Sequence, residues 1–491
     1  MPIKINNKLT PQKLIAKINR LFDLSAEKIS TVEKRWDPAR GTPVFTVQGK
    51  YTSRGWTEWT QGFQFGSALL QFDATGDVCF LEMGRRKTVE LMATHVSHVG
   101  VHDHGFNNIS TYGNLLRLMR EGKIPQNDRE QEFYELALKV SGAVQAARWT
   151  RIADGQGYIY SFNGPHSLFI DTMRSLRSLA VGHSLGHALM GEHDQRISLL
   201  QRLVEHAATT ARFAIYYGQG RDAYDVPGRT AHESIFNVND GHYRCPNSQQ
   251  GYSPFSTWTR GLAWAILGFA EQFEFLENVP EHDLLGLVPE PADRVGSPAS
   301  PKKASRVVTN AATLKALLLR AATAVADFYI ENSCSDGVPI WDTGAPNLHR
   351  LGGYLEKPAD PYNDWEPVDS SAAAIAAQGL IRLGNYLGAH RDVQNGRRYC
   401  QAGLTVASTL FDEPYLSTNP KHQGLLLHSV YHRPNGWDYI APGQKVPNGE
   451  SSMWGDYHAR ELALLLLREA KVEKYLTFFG SILLPPKNIK P

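Results

Sequence analysis

The chain has 491 residues, a hydrophobic fraction of 42%, a charged fraction of 20% and a formal net charge of +2. This is the composition of a globular protein with a large core; it excludes a disordered chain and gives no general field for drawing nucleic acid or an anionic membrane to the surface. No run of apolar residues approaches the eighteen or so of a membrane span, and Cys79, Cys245, Cys334 and Cys400 are too few and too scattered for a disulfide scaffold or a zinc site, so reduced thiols and a cytoplasmic location are expected.

The first residues, Met1-Pro2-Ile3-Lys4-Ile5-Asn6-Asn7-Lys8, lack the apolar run of a secretory signal. Apolar periodicity then predicts a helix over 9–23, with Leu14, Ile15, Ile18, Leu21 and Phe22 on one stripe. Residues 31–57, rich in Gly, Pro, Thr and aromatics, read as irregular. Further helices are predicted over 62–73, 86–97, 108–121, 128–146, 170–189, 195–217, 257–277, 310–332, 369–388, 394–411 and 456–470, and strand signals are few and short. About a dozen helices with no heptad seam and no repeat of fixed length must wrap around a shared axis. An all-α closed double ring of paired helices, with loops at one end forming a pocket, is therefore expected. The expected organisation is a single domain over 1–491, with an N-terminal extension, 1–30, and an exposed Pro-rich insertion, 286–309.

Two lone carboxylates stand at predicted helix edges: Asp103 in His102-Asp103-His104-Gly105-Phe106, and Asp171 in Ile170-Asp171-Thr172-Met173. Each reads either as a helix N-cap or as a general acid whose apolar and aromatic surroundings raise its pKa. Aromatics cluster in the same loops: Trp56, Trp59 and Phe63; Tyr158, Tyr160 and Phe162; Tyr252, Phe255, Trp258 and Trp264. They serve core packing or present faces on which sugars stack. Helical spacing puts Arg260 and Trp264 on one face, where a guanidinium suits a bidentate grip on a carboxylate or a plain ion pair. His232 reads as a lone pocket histidine; His183 and His187, four apart, are a metal-type pair without a carboxylate signature. There is no Gly-x-Ser-x-Gly elbow and no Gly-rich phosphate loop, which argues against Ser-His-Asp hydrolysis and nucleotide chemistry. No metal or cofactor is expected.

Taken as an ordered series, Trp59-Thr60-Gln61-Gly62-Phe63, the His-Asp-x-Gly-Phe at 102–106, Ile170-Asp171-Thr172-Met173, Gln250-Gly251-Tyr252, Trp258-Thr259-Arg260-Gly261, Val338-Pro339-Ile340-Trp341-Asp342, Asp369-Ser370-Ser371-Ala372 and Trp454-Gly455-Asp456-Tyr457 resemble the unsaturated glucuronyl hydrolases of glycoside hydrolase family 88. The unsaturated rhamnogalacturonyl hydrolases of family 105 are the nearest cousins. The resemblance covers nearly the whole chain, from Trp56 to Leu467. It implies an (α/α)6 barrel that removes a 4,5-unsaturated uronic acid from the non-reducing end of oligosaccharides left by polysaccharide lyases. The reaction so implied is hydration of a vinyl ether: an acid protonates carbon 4, positive charge at carbon 5 is shared with the ring oxygen, water adds there, and the hemiketal opens.

Carried over residue by residue, the resemblance makes Asp171 the general acid and base and Asp103 the second essential carboxylate. His232 positions water and substrate, Gln250, Arg260 and Trp264 contact the substrate, and Trp59 and Phe162 stand at the pocket wall. Three departures bear on the substrate: Gln249 precedes Gln250-Gly251 where the family commonly has His, Phe162 stands in place of Trp, and His104 and Asn107-Asn108 follow the aspartate. The expected partner is an unsaturated oligosaccharide, with the chain a monomer or homodimer. A glycosidase of another specificity, a sugar epimerase, or a non-catalytic carbohydrate-binding barrel remains the alternative on the same fold.

Overall fold

The computed structural model describes residues 2–54, 58–287 and 311–485. Trp56 and all but the first two positions of the 286–309 insertion lie outside the described residues.

Among the described residues twelve helices carry the architecture, and every helix predicted from sequence has a counterpart. They are α1 (Ile15–Arg35), α2 (Gln61–Thr75), α3 (Val78–Leu91), α4 (His104–Asn108, continuing through a π-helical turn Ile109–Gly113 into Asn114–Arg120) and α5 (Asp128–Ala147). Then follow α6 (Thr172–Ser175 and Arg177–Ser184), α7 (Leu199–Phe213), α8 (Thr259–Leu276), α9 (Ala311–Asn332), α10 (Ser370–Ala389), α11 (Val393–Leu410) and α12 (Met453–Lys471). The even-numbered helices pack in the order α2, α4, α6, α8, α10, α12 and back to α2, which closes an inner ring. The odd-numbered helices lie outside it, each packed on at least one even-numbered neighbour in sequence.

The sequence explains which helix goes where. Every residue of α8 is buried, and in α10 only the last is not, because Ala-, Gly- and Leu-rich helices can be enclosed on all sides. By contrast α1 buries one stripe, Ile18, Leu21, Phe22, Ile29 and Val32, and turns charge outward. The first thirty residues thus supply an outer helix, and Ile3 N–H donates to the Ile330 carbonyl at 3.2 Å.

Some boundaries differ from expectation for local reasons. The α1 helix runs on to Arg35, twelve residues past the predicted end at 23, because its apolar stripe continues through Ile29 and Val32. The α3 helix starts at Val78 because Asp77 accepts from the Cys79 N–H. The predicted 170–189 helix breaks at Leu176 and ends at Ser184, and the chain then forms a hairpin pairing Ala188–Met190 with Arg196–Ser198. Ser198 caps α7 through the Gln201 N–H. Strands are short, as expected, and include a three-stranded sheet of Ser167–Phe169, Glu233–Phe236 and Tyr243–Asn247.

The ring interior is charged. Arg174 and Arg177 on α6 meet Glu461 on α12, directly opposite in the ring, at 2.7 and 3.6 Å, and Arg174 also pairs with Glu271 on α8. All four are essentially inaccessible to solvent. Burial would raise the Glu461 carboxyl, but the two guanidinium groups pull it down to about 2. Replacing Glu461→Gln leaves two buried arginines short of a counter-charge, so urea unfolding is expected to show a loss of about 3–5 kcal/mol.

Candidate active site

Inner helices present their N-terminal ends to one mouth of the ring. A cavity of about 330 Å³ opens there, lined by Trp59 before α2, Asp103 and Phe106 at the start of α4, Asp171 before α6, and Trp258, Arg260 and Trp264 around the start of α8. Helix N-termini gathered around one cavity favour bound anions.

The two aspartates are brought together by a close approach of α4 and α6. A Cβ on Gly105 would lie 2.3 Å from the Ser175 carbonyl oxygen, so only glycine lets the helices touch there. The Gly105 N–H donates to Ser175 Oγ at 2.9 Å, and Ser175 Oγ and Gln145 Nε2 both donate to the His102 carbonyl. Neither Asp103 nor Asp171 makes the side-chain cap hydrogen bond of its helix, in contrast to Asp369, which caps α10 through Ser371 and Ala372. The carboxylates at 103 and 171 are therefore not spent as caps.

Between them lies His102, to which sequence reasoning gave no role. Its Nε2 is 3.1 Å from Asp171 Oδ1 and 3.8 Å from Asp103 Oδ1, and its buried Nδ1 has no hydrogen-bond partner among the described residues. This corrects one expectation. Burial does push Asp171 up, but the charge and hydrogen bond of His102 outweigh it and hold the carboxyl below its ordinary value. Burial conversely lowers His102, while Asp103 and Asp171 raise it further than burial depresses it. These directions put the proton on the imidazole, with Asp171 ionised beside it.

His232 is placed by the small sheet. Phe169 pairs with Glu233, and the Ile170 N–H donates to the His232 carbonyl at 3.0 Å, which sets His232 beside Asp171. Its ring lies between Phe169 and Trp258, at 4.5 and 4.7 Å. Burial holds it neutral, lowered to about 3, and its Nδ1 accepts the Gln249 and Gln250 N–H groups at 2.9 and 3.3 Å. The proton is thus on Nε2, which has no partner among the described residues. His232 stands behind the cavity wall; Trp59, Asp103, Phe162, Asp171, Gln250, Arg260 and Trp264 line the cavity itself.

Arg260 differs from the expected carboxylate grip. Its Nη1 donates to Asp369 at 3.3 Å and to the Val430 carbonyl, and its Nη2 donates to Gln250 Oε1 at 2.7 Å and the Tyr431 carbonyl at 2.8 Å. The guanidinium carbon lies 4.6 and 4.8 Å from the ring centres of Trp258 and Trp454. Both Nη atoms are thus committed to the protein, and Arg260 acts on the cavity by fixing Gln250. With Oε1 bound to Arg260, the amide N–H₂ is the hydrogen-bonding group that Gln250 retains at the cavity wall.

Trp264 packs on Phe106 at 4.8 Å and on His458 at 4.9 Å, making an aromatic floor above the axial charges. Trp59 stacks on Trp454 at 5.0 Å, and Phe162 lies parallel to His102 at 6.0 Å with an edge of Phe169 against it. The far wall is an arc that sequence reasoning missed: Tyr431, His432, Asn435 and Trp437. It is held by Asp438, which accepts the Tyr431 and His432 N–H groups. Among the described residues no three His, Cys, Asp or Glu side chains converge to hold a metal ion.

No family model matches the chain. It is 24% identical over 417 residues to the unsaturated glucuronyl hydrolase of Formosa agariphila, covering 82% of this chain and 78% of that protein. It is 26% identical over 431 residues to the unsaturated glucuronyl hydrolase of Bacillus sp. strain GL1, covering 85% and 89%. A third relative, the unsaturated chondroitin disaccharide hydrolase of Streptococcus pyogenes serotype M1, is 21% identical over 478 residues, covering 95% and 96%. Among solved structures, an unsaturated glucuronyl hydrolase specific for heparin superposes with a TM-score of 0.66 at 18% identity, covering 95% of this chain and all of the other. The Bacillus enzyme superposes at 0.64, with 21% identity over 92% and 97%. The fold is the (α/α)6 barrel of these structures, and the chain is a relative of the unsaturated glucuronyl hydrolases.

Two outcomes follow from the site. Removing the imidazole in His102→Gln leaves burial to act on Asp171 alone, so the limb of the pH dependence of kcat/KM that belongs to Asp171 is expected to move to higher pH. Arg260→Lys keeps a charge but loses the planar fork that holds both Gln250 and the 430–431 backbone, so KM is expected to rise roughly tenfold or more.

Proposed function

We infer that the protein is a glycoside hydrolase that removes a 4,5-unsaturated uronic acid from the non-reducing end of an oligosaccharide, by hydrating its double bond. The observation that carries this reading is the His102 imidazole held between Asp171 and Asp103 at the edge of an aromatic-floored, one-ended cavity, in a chain that aligns over most of its length with unsaturated glucuronyl hydrolases. A closed floor suits a terminal sugar and not a passing chain.

The residues divide the work as follows. Asp171 gives a proton to carbon 4, and the positive charge that develops at carbon 5 and the ring oxygen is met by Asp103. A substrate that fills the cavity excludes water and disfavours the charged His102–Asp171 pair relative to the neutral pair, which moves the shared proton from His102 to Asp171 as the substrate arrives. Asp171, now ionised, takes a proton from the water that adds at carbon 5. The Gln250 amide, fixed by Arg260, donates to the sugar, while Trp264, Trp59 and Phe162 pack against its faces. The hemiketal so formed opens and releases the next sugar, with no attack at the anomeric carbon. The separation of the two carboxylates therefore carries no stereochemical rule for this reaction.

We place the chain in glycoside hydrolase family 88 and in the cytoplasm, downstream of a polysaccharide lyase; among the described residues no helix is long and apolar enough to cross a membrane. All four cysteines are free. The test is loss of the ultraviolet absorbance of the double bond on incubation with unsaturated disaccharides. Asp171→Asn is expected to abolish that loss, by 10³-fold or about that order, with the thermal transition retained, and Asp103→Asn to reduce it strongly. Turnover of saturated aryl glucuronides in place of unsaturated disaccharides would overturn the reading.

A further inference from the structure

The cavity grades from sealed to open. Phe106 and Trp264 at the floor are 1% and 2% exposed, Asp103 and Asp171 are 7% and 8%, and Phe162 at the mouth is 39%. Beside the Phe162 loop at the same mouth lies a short lip, His98-Val99-Gly100-Val101, of which His98, Gly100 and Val101 line the cavity.

The lip belongs to no regular element, yet two buried side chains fix it. Arg148, at the end of α5, donates to the Val99 carbonyl through Nη1, to the Tyr160 carbonyl at 3.1 Å through Nε and to the Ser161 carbonyl at 2.7 Å through Nη2. Its guanidinium also lies over the Tyr160 ring at 4.3 Å. One arginine thereby ties the lip to the loop that carries Phe162. His104 does the same from below. Its Nε2 donates to the His98 carbonyl at 3.0 Å while its Nδ1 accepts from Ser141 Oγ at 2.9 Å, and burial keeps it neutral, lowered to about 4. His104 is one of the residues by which this chain departs from its relatives' motif.

What this anchoring presents is the His98 side chain. Its ring is half-buried, has no hydrogen-bond partner among the described residues and folds over Gly100, where an added Cβ would lie 2.9 Å from Nε2. His98 thus brings a hydrogen-bonding ring, on a backbone held at two carbonyls, to the lining of the cavity mouth.

We propose that His98 is a specificity-determining residue for the sugar that leaves: with the terminal uronate at the sealed end, the lip fixed by Arg148 and His104 sets the His98 imidazole against a hydroxyl of the next residue. This deepens the hydrolase reading above and rests on it for the direction in which the oligosaccharide lies. Arg148 and His104 are positioning residues that act through the lip.

The experiment compares two substrates sharing one unsaturated uronate, a disaccharide and the methyl glycoside, which has no second sugar. In His98→Ala the ratio of kcat/KM for the disaccharide to that for the methyl glycoside is expected to fall about three- to tenfold, the worth of one hydrogen bond. Gly100→Ala, which displaces the ring, is expected to lower the ratio in the same direction, and His98→Gln, which keeps a hydrogen-bonding group, to recover most of it. An unchanged ratio, or equal losses on both substrates, overturns the proposal. Calorimetric binding of the same two compounds to Asp171→Asn, with and without His98→Ala, gives a readout independent of turnover. If the unaltered protein hydrolyses neither compound and the binding ratio still falls, the hydrolase reading fails while the role of His98 stands; an unchanged binding ratio sinks the latter.

Discussion

The closed ring depends on charge pairing across its centre. Helices α6 and α12 face each other over the axis, and Arg174, Arg177 and Glu461 bridge that span, with Glu271 from α8 completing the set. Four ionic groups removed from water stabilise a fold only when each finds its counter-charge in fixed geometry. Any displacement of one inner helix along its axis would separate them, so the cluster specifies register as well as closure. Above it the Trp264, Phe106 and Phe63 rings keep water from reaching the charges through the mouth. Below it, the chain after α12 crosses the base, where the Tyr475 hydroxyl donates to Glu274 at 2.8 Å.

At the mouth the same principle is used differently: buried carboxylates hold irregular backbone. Asp369 takes Arg260 and the first turn of α10; Asp438 takes the Tyr431 and His432 N–H groups; Asp342 accepts from Tyr252 and Gly344, both at 2.8 Å, and burial pushes it up to about 6. Loops have no ladder of their own to satisfy backbone donors, so side chains supply the acceptors. The result is a cavity whose walls are loops but whose side chains stand in fixed positions, as transition-state stabilisation requires.

Much of this was legible in the residues. The period of apolar positions located the helices because inner and outer helices alike bury at least one continuous stripe, and Ser and Asp caps such as Asp77 and Ser198 are local signals. Seven of the eight residues singled out as a site line one cavity, and the eighth, His232, stands behind its wall. What escaped was the part made by contacts distant in sequence. Apolar neighbours of Asp171 are visible in its own segment and argue for a raised pKa; the imidazole that reverses the shift comes from a residue 69 positions earlier. Arg260 could be seen as a guanidinium near aromatics, but not that Asp369, Val430 and Tyr431 would occupy it. The 431–437 arc has no periodicity, and its place in the wall is set by Asp438 and Arg260, not by its own sequence.

The axial ion layer also separates two kinds of sequence freedom. Residues below it and within it answer to folding, because a change there strands a buried charge. Residues above it, in the lip, the Phe162 loop and the 431–437 arc, are each moored by one or two side chains to the rims of the helices and share no hydrogen bonds with the axial charges. Mutational drift in those loops can recast which sugar the mouth accepts while the axial ion pairs that set the register of the ring stay in place.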